Sequence, residues 1–282
     1  MDRTQGTQAV HLSEEFVANL VQELDNDDII GITLGGSYAR GEATQYSDLD
    51  FACFWRVGLR PPPKRFMYRQ GKLISVKMTT VDEIRGMLSR PESALLFASG
   101  KHRLLLDKDG SVARLLEEIA NFRWETLQPV ANWSTNIWMM LKAEEVHKLL
   151  ADFQRGNEPG IAYAVAKLVA EMTTRLALYC GVLITSDSTY YSQVEEAAGS
   201  ASAWTYNHRI ATGLDAGPEN IKPIRARGIA ALFLYRETLA LLKPAMRDEQ
   251  LAVAEQALQI VREAVDQLPF TAEEYQWLKN WT

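Results

Sequence analysis

The sequence predicts an α+β chain in which a mixed sheet with flanking helices, residues 1–115, precedes an all-α helical bundle, residues 116–282. Three observations carry that prediction. In the first part, short apolar runs bounded by Gly, Pro and Asp alternate with amphipathic segments. In the second part, apolar residues recur almost throughout at three- and four-residue spacing, the period of a helix face. Charge divides at the same place: residues 1–115 hold 15 acidic and 15 basic side chains, so the whole net charge of −6 belongs to residues 116–282. A chain of 282 residues exceeds the size at which single cores usually stop growing, which also favours two units.

The elements follow in order. Ser13 before Glu14 and Glu15 has the form of an N-cap with an acidic first turn, and predicts an amphipathic helix to about Asp25. Ile29–Leu34 and Phe51–Trp55 read as strands, joined by Gly35-Gly36 and a short helix. Arg56-Val57-Gly58-Leu59-Arg60-Pro61-Pro62-Pro63-Lys64-Arg65 is a basic, proline-rich loop that is solvated or reaches an anion. A strand over 73–78, a helix over 80–89 opened by the capping-box sequence Thr80-Val81-Asp82-Glu83, and a strand near 103–106 complete the first unit.

Helices are predicted near 130–155, 160–180, 225–242 and 247–267, with breaks at Gly156–Gly160, Gly181, Pro244 and Pro269. Thr271-Ala272-Glu273-Glu274 opens a last short helix with a second capping-box form. Two hydroxyl- and aromatic-rich stretches, 185–192 and 204–209, either touch a ligand or serve as connectors between helices. No repeat, sustained heptad, Walker-type or Rossmann glycine pattern, or Cys/His metal spacing is present.

The chemistry concentrates in residues 35–50. Gly35 and Gly36 let backbone amides approach a ligand closely, and Ser37 is placed to cap a helix whose free N–H groups favour an anion. Beyond Arg40 and Ser47, Asp48 and Asp50 lie two apart at the start of a strand and share a face. Two adjacent carboxylates repel unless a cation joins them, and hard oxygen ligands suit Mg²⁺ that carries substrate phosphates.

The string GGSYARGEATQYSDLDF, residues 35–51, resembles the signature of nucleotidyltransferases of the DNA polymerase β superfamily, most closely the aminoglycoside nucleotidyltransferase branch. The resemblance implies a polymerase-β-like first domain, with a substrate-binding helical domain after it and the active site in the cleft between them. It implies that Gly35, Gly36, Ser37, Arg40 and Ser47 hold ATP or another nucleoside triphosphate, and that Asp48 and Asp50 bind Mg²⁺ as catalytic metal ligands. The reaction implied is transfer of AMP to a hydroxyl of a small molecule such as an aminoglycoside, with release of pyrophosphate, a route to antibiotic resistance. The family usually adds a third carboxylate on a later strand. Here that position falls on Lys77, which cannot ligate a metal as an ammonium and either contacts a phosphate or pairs with Asp48 or Asp50. Three readings stay open: two aspartates suffice, Asp82 or Glu83 serves in a shifted register, or the domain binds nucleotide without turnover. A nucleotidyltransferase acting on protein or RNA is a further alternative.

Some members of the family take a general base from the helical domain. Glu145 shares a helical face with Trp138, Leu141 and Leu149, and burial there would raise its pKa towards a useful range; the alternative is an ion-paired boundary residue. Glu144 with Lys148, and Glu171 with Lys167 and Arg175, have the spacing of surface ion pairs, and His147 is expected on the exposed face.

Cys53 and Cys180 sit in apolar runs and read as reduced core thiols. The polar start Met1-Asp2-Arg3-Thr4-Gln5 and the lack of a long apolar span point to a cytoplasmic protein without membrane association, either monomer or homodimer. The acidic second part disfavours nucleic acid and suits a cationic, hydroxyl-bearing acceptor.

Overall fold

The computed structural model describes residues 12–56, 58 and 61–279. The reading of Met1–Gln5, and the share of the proline-rich loop held by Val57, Leu59 and Arg60, lie outside the described residues. The chain divides into two compact units: residues up to Arg123 together with Leu183–Ser188, and Trp124–Val182 with the residues from Thr189 onward.

In the first unit five strands form one sheet. They are β1 (Ile29–Leu34), β2 (Leu49–Trp55), β3 (Arg65–Arg69), β4 (Lys72–Thr79) and β5 (Arg103–Asp107), in the order β3-β4-β2-β1-β5. β2 and β4 run parallel and every other pair is antiparallel. The helices are α1 (Glu14–Leu24), α2 (Gly36–Arg40), α3 (Val81–Leu88), α4 (Pro91–Phe97) and α5 (Ser111–Ala120). The 115/116 division expected from sequence falls inside α5.

Alternation along the strands sorts side chains onto two faces. Ile32, Leu34, Leu49, Phe51, Cys53, Ile74 and Val76 pack with Leu20 and Leu24 of α1. On the other face Ile30 and Phe54 pack with Ile84 of α3 and with Val112, Leu115 and Ile119 of α5. That second layer does not extend over Asp50 and Ser75, so a cavity opens there. Both α1 and α3 start as the sequence predicts: the Ser13 Oγ accepts from the Phe16 N–H at 3.1 Å, and Thr80 and Glu83 complete a capping box.

The second unit is helical: α6 (Gln128–Leu141), α7 (Ala143–Arg155), α8 (Glu158–Cys180), α9 (Tyr190–Ala198), α10 (Ala203–Thr212), α11 (Pro223–Leu242), α12 (Asp248–Val265) and α13 (Ala272–Leu278). The helix predicted over 130–155 is two helices, because the chain turns at Lys142. α8 and α11 supply most of the core, and Arg225 of α11 pairs with buried Glu274 of α13 at 2.5 Å. Gly181 ends α8 at φ +66°, and a Cβ there would meet Trp124 at 2.4 Å.

Cys53 is buried as expected, but Cys180, at the last turn of α8, is exposed; both are free. Among the described residues no helix is long and apolar enough to cross a membrane.

Candidate functional site

The candidate site forms where β1 ends and β2 begins. The Gly35 N–H donates to the Asp50 carbonyl at 2.8 Å, which ties the glycine turn to the start of β2. Gly36 adopts φ +64°, a conformation that L side chains rarely take. A Cβ on it would lie 2.4 Å from the Asp50 Oδ2, so glycine is required both by the backbone and by the carboxylate beside it. Ser37 does not cap α2 as expected. Gly35 holds the N-cap position with no side-chain cap, and Ser37 sits within the helix.

Asp50 lies on β2 and Asp48 just before it. Burial, then the charge of Asp48, push the Asp50 carboxyl above the usual carboxylate range, against a Ser75 hydrogen bond and the charges of Lys64 and Arg40. Neither aspartate has an ion-pair partner among the described residues. Arg40 bonds Glu42 at 2.7 Å, and the Ser47 hydroxyl accepts from the Thr44 N–H at 2.9 Å, so both are engaged in the loop that carries the aspartates.

The register settles where β4 meets this pair. Ser75 stands opposite Asp50, and Lys77 stands opposite Ala52 on the same face. Lys77 does not pair with Asp48 or Asp50. Its Nζ lies 4.4 Å over the Phe97 ring and 3.7 Å from the Met87 Sδ. Burial holds its ammonium below the usual lysine range, with Glu83 opposing and Lys64 reinforcing the shift.

The shifted-register alternatives are occupied otherwise. The Glu83 Oε2 accepts from the Thr79 hydroxyl at 2.9 Å and from the Thr80 N–H at 3.0 Å, and Asp82 lies 3.4 Å from Arg85. Among the described residues no group of three or more His, Cys, Asp or Glu could hold a metal ion.

Lys64 belongs to the basic loop that the sequence offers as an anion contact, whereas Ser75 and His102 escape the sequence reading. Lys64, at the end of the proline-rich loop, and His102, before β5, both line the cavity with Asp50, Ser75 and Lys77; its volume is about 190 Å³. A Cβ on Gly35 would lie 3.3 Å from the His102 Nδ1. Burial, and then Lys77, lower the pKa of His102. The Pro-Pro-Pro-Lys sequence leading into alternating Phe66 and Tyr68 is the available signal for Lys64; for His102 there is none.

Glu145 lies on α7 in the second unit, where Lys167 and Lys148 bond the same oxygen, Lys148 at 3.2 Å. Burial alone would raise its pKa, but the two lysines outweigh burial and leave it below the usual glutamate value. The raised pKa expected for a base is therefore corrected, and the ion-paired alternative describes the residue. Glu145→Gln is expected to lower the melting temperature, at a cost of about 1 kcal/mol, and to leave turnover within twofold; thermal unfolding alongside kinetics checks it. The Glu144–Lys148 pair forms at 2.8 Å, Glu171 sits between Lys142 and Arg175, and His147 is exposed. In the 204–209 stretch Trp204 is buried, donates to the Thr238 Oγ1 at 2.8 Å and stacks on His208, so its indole is core. The 185–192 stretch forms a short 3₁₀ turn leading into α9.

A family model described as nucleotidyltransferase domain matches residues 17–83, about a quarter of the chain, from within α1 through the glycine turn and both aspartates to beyond β4. The coarse reading of that segment as a nucleotidyltransferase domain rests on this match. Among solved structures, a nucleotidyltransferase-like protein from Exiguobacterium sibiricum 255-15 is similar at 12% identity and a TM-score of 0.47, covering 92% of this chain and 82% of that one. A likeness of that size carries no argument. No curated protein matches the chain.

Proposed function

We propose that the protein is a metal-dependent nucleotidyltransferase that moves a nucleoside monophosphate, AMP from ATP, onto a hydroxyl of a small, cationic acceptor such as an aminoglycoside. The observation that carries this reading is a set of charged side chains without close ion pairs around one cavity. Asp48 and Asp50 on one side, and Lys64 and Lys77 on the other, have no ion pairs among the described residues. A ligand that brings both a divalent cation and a polyphosphate satisfies all four.

The donor set fits Mg²⁺, which commonly takes one or two carboxylates and completes its shell with water and substrate phosphates. Burial first, and then the neighbouring Asp48 charge, raise the Asp50 pKa, and a cation between the two carboxylates would offset both. Asp48 and Asp50 would hold the ion, and what it supplies there is neutralisation of charge on the phosphoryl oxygens. The glycine turn admits the triphosphate close to the backbone, and Lys64 and Lys77 offset its remaining charge. Held in line, the acceptor oxygen bonds to the α-phosphorus as the bond to pyrophosphate breaks, and the hydroxyl proton leaves to solvent. Positioning and fixed charge supply the rate.

Lys77→Met is expected to weaken Mg·ATP binding about tenfold or more, the worth of one charged phosphate contact. Lys77→Glu should weaken it further. A gain of Mg²⁺ affinity in Lys77→Glu would instead assign Lys77 the place of the missing acid.

The absent third carboxylate favours a second reading, nucleotide binding without turnover. Titration with Mg·ATP beside a labelled-nucleotide transfer assay on an aminoglycoside panel separates the two. Transfer supports the first reading, tight metal-dependent binding without label on any acceptor supports the second, and label on protein or RNA redirects the acceptor.

A further inference from the structure

Strand β3 was unexpected, and its side chains bear on the same site. Phe66 is paired with Ser75, and Ser75 with Asp50, so the three stand in one row across β3, β4 and β2 on one face of the sheet. Tyr68, paired with Leu73, is the next residue of β3 on that face. β3 is an edge strand, and its two aromatic rings are largely exposed to solvent: Phe66 is 59% exposed and Tyr68 69%. Large apolar rings on an edge strand cost solubility unless something uses them.

Lys64 connects the ring to the cavity. Its Nζ lies 4.8 Å over the Phe66 ring, and it lines the cavity with Asp50. We propose that Phe66 is the stacking platform for the base of the nucleotide whose phosphates lie at Asp50, with Lys64 moving from the ring to the phosphates as the base arrives. This rests on the nucleotide reading above.

Geometry and charge select that occupant. Two strand spacings separate the Asp50 and Phe66 positions, about 10 Å, a gap that a ribose bridges with its 5′-phosphate on one side and its base on the other. An aromatic face stacks any base, and the neighbouring ammonium matches the phosphate end of the same molecule. The edge position leaves the ring open from the solvent side, so the base needs no opening of the core.

Calorimetric titration of Mg·ATP and of Mg·tripolyphosphate separates the base contribution from the phosphate contribution. Phe66→Ala should weaken ATP binding about tenfold to a hundredfold and leave tripolyphosphate binding within twofold, and Phe66→Trp should keep ATP affinity. Because the ring is exposed, unchanged melting temperatures are expected in both variants and are measured alongside. Equal weakening of both ligands, no weakening of either, or a parent that binds ATP no tighter than tripolyphosphate would overturn the stacking role while leaving the phosphate site standing. A change of molecular mass by light scattering in Phe66→Ala with ATP affinity unchanged would also overturn it, assigning the ring to self-association. A parent that binds neither ligand would defeat the nucleotide reading itself, and this inference with it.

Discussion

Asp50→Asn is expected to reduce nucleotidyl transfer roughly a thousandfold or more, about 4 kcal/mol of lost transition-state stabilisation, with the protein still folded. In the proposed function the carboxylate is one of two that hold the metal and its phosphates, and Asn keeps its shape while removing its charge. The variant also tests the electrostatics independently of activity. Burial and the Asp48 charge hold the Asp50 pKa up, so the folded state keeps this proton more readily than the unfolded chain does. Stability from this group is therefore present at low pH and is lost as pH rises through the raised pKa. Asparagine removes that loss. The metal-free variant should melt at the same temperature as the parent or above it at neutral pH, and the difference should shrink as pH falls through the carboxylate range. A clearly lower melting temperature at neutral pH would show that Asp50 is a structural residue.

Gly36→Ala is expected to abolish nucleotide binding and to destabilise the first unit by about 1–3 kcal/mol. Two costs combine in it. The residue must hold φ +64°, and its new methyl group would lie 2.4 Å from the Asp50 Oδ2. Relief requires the carboxylate to turn away or the glycine turn to shift, and either disperses the site. Gly41→Ala is the control: Gly41 also has positive φ, but a Cβ there meets nothing within 4 Å. Backbone strain alone should lower stability in both variants, whereas loss of binding is expected only at position 36. Thermal unfolding and Mg·ATP titration of the pair check this.

How much of this was legible in the sequence depends on the range of the interactions. β1 and the core of β2 are continuous apolar runs, and α1, α3 and α13 carry their own caps, so local chemistry announces them. β3 beyond Arg65 has no assignment from sequence, because an edge strand beginning after three prolines, with Arg65 and Arg69 at its ends, has no buried face to produce a clean pattern. The turn at Lys142 is equally quiet: both helices are amphipathic, and the residue keeps right-handed helical angles. The glycines and aspartates of the candidate site fall within residues 35–50, so one short motif exposes them together. Lys64, Ser75 and His102 reach it only through strand register and loop approach, which the sequence order does not display. Glu145 shows the opposite failure. Its apolar helical face was visible, but Lys167, which reverses the pKa shift, comes from α8.

In the proposed function Asp48 and Asp50 hold a divalent cation that receives a nucleoside triphosphate. The most direct measurement is calorimetric titration of the nucleoside triphosphates into the parent and into Asp50→Asn, each with Mg²⁺ and with EDTA. Binding is expected to require Mg²⁺ in the parent and to be lost in Asp50→Asn. Binding equally tight in EDTA, or undiminished in Asp50→Asn, would contradict it.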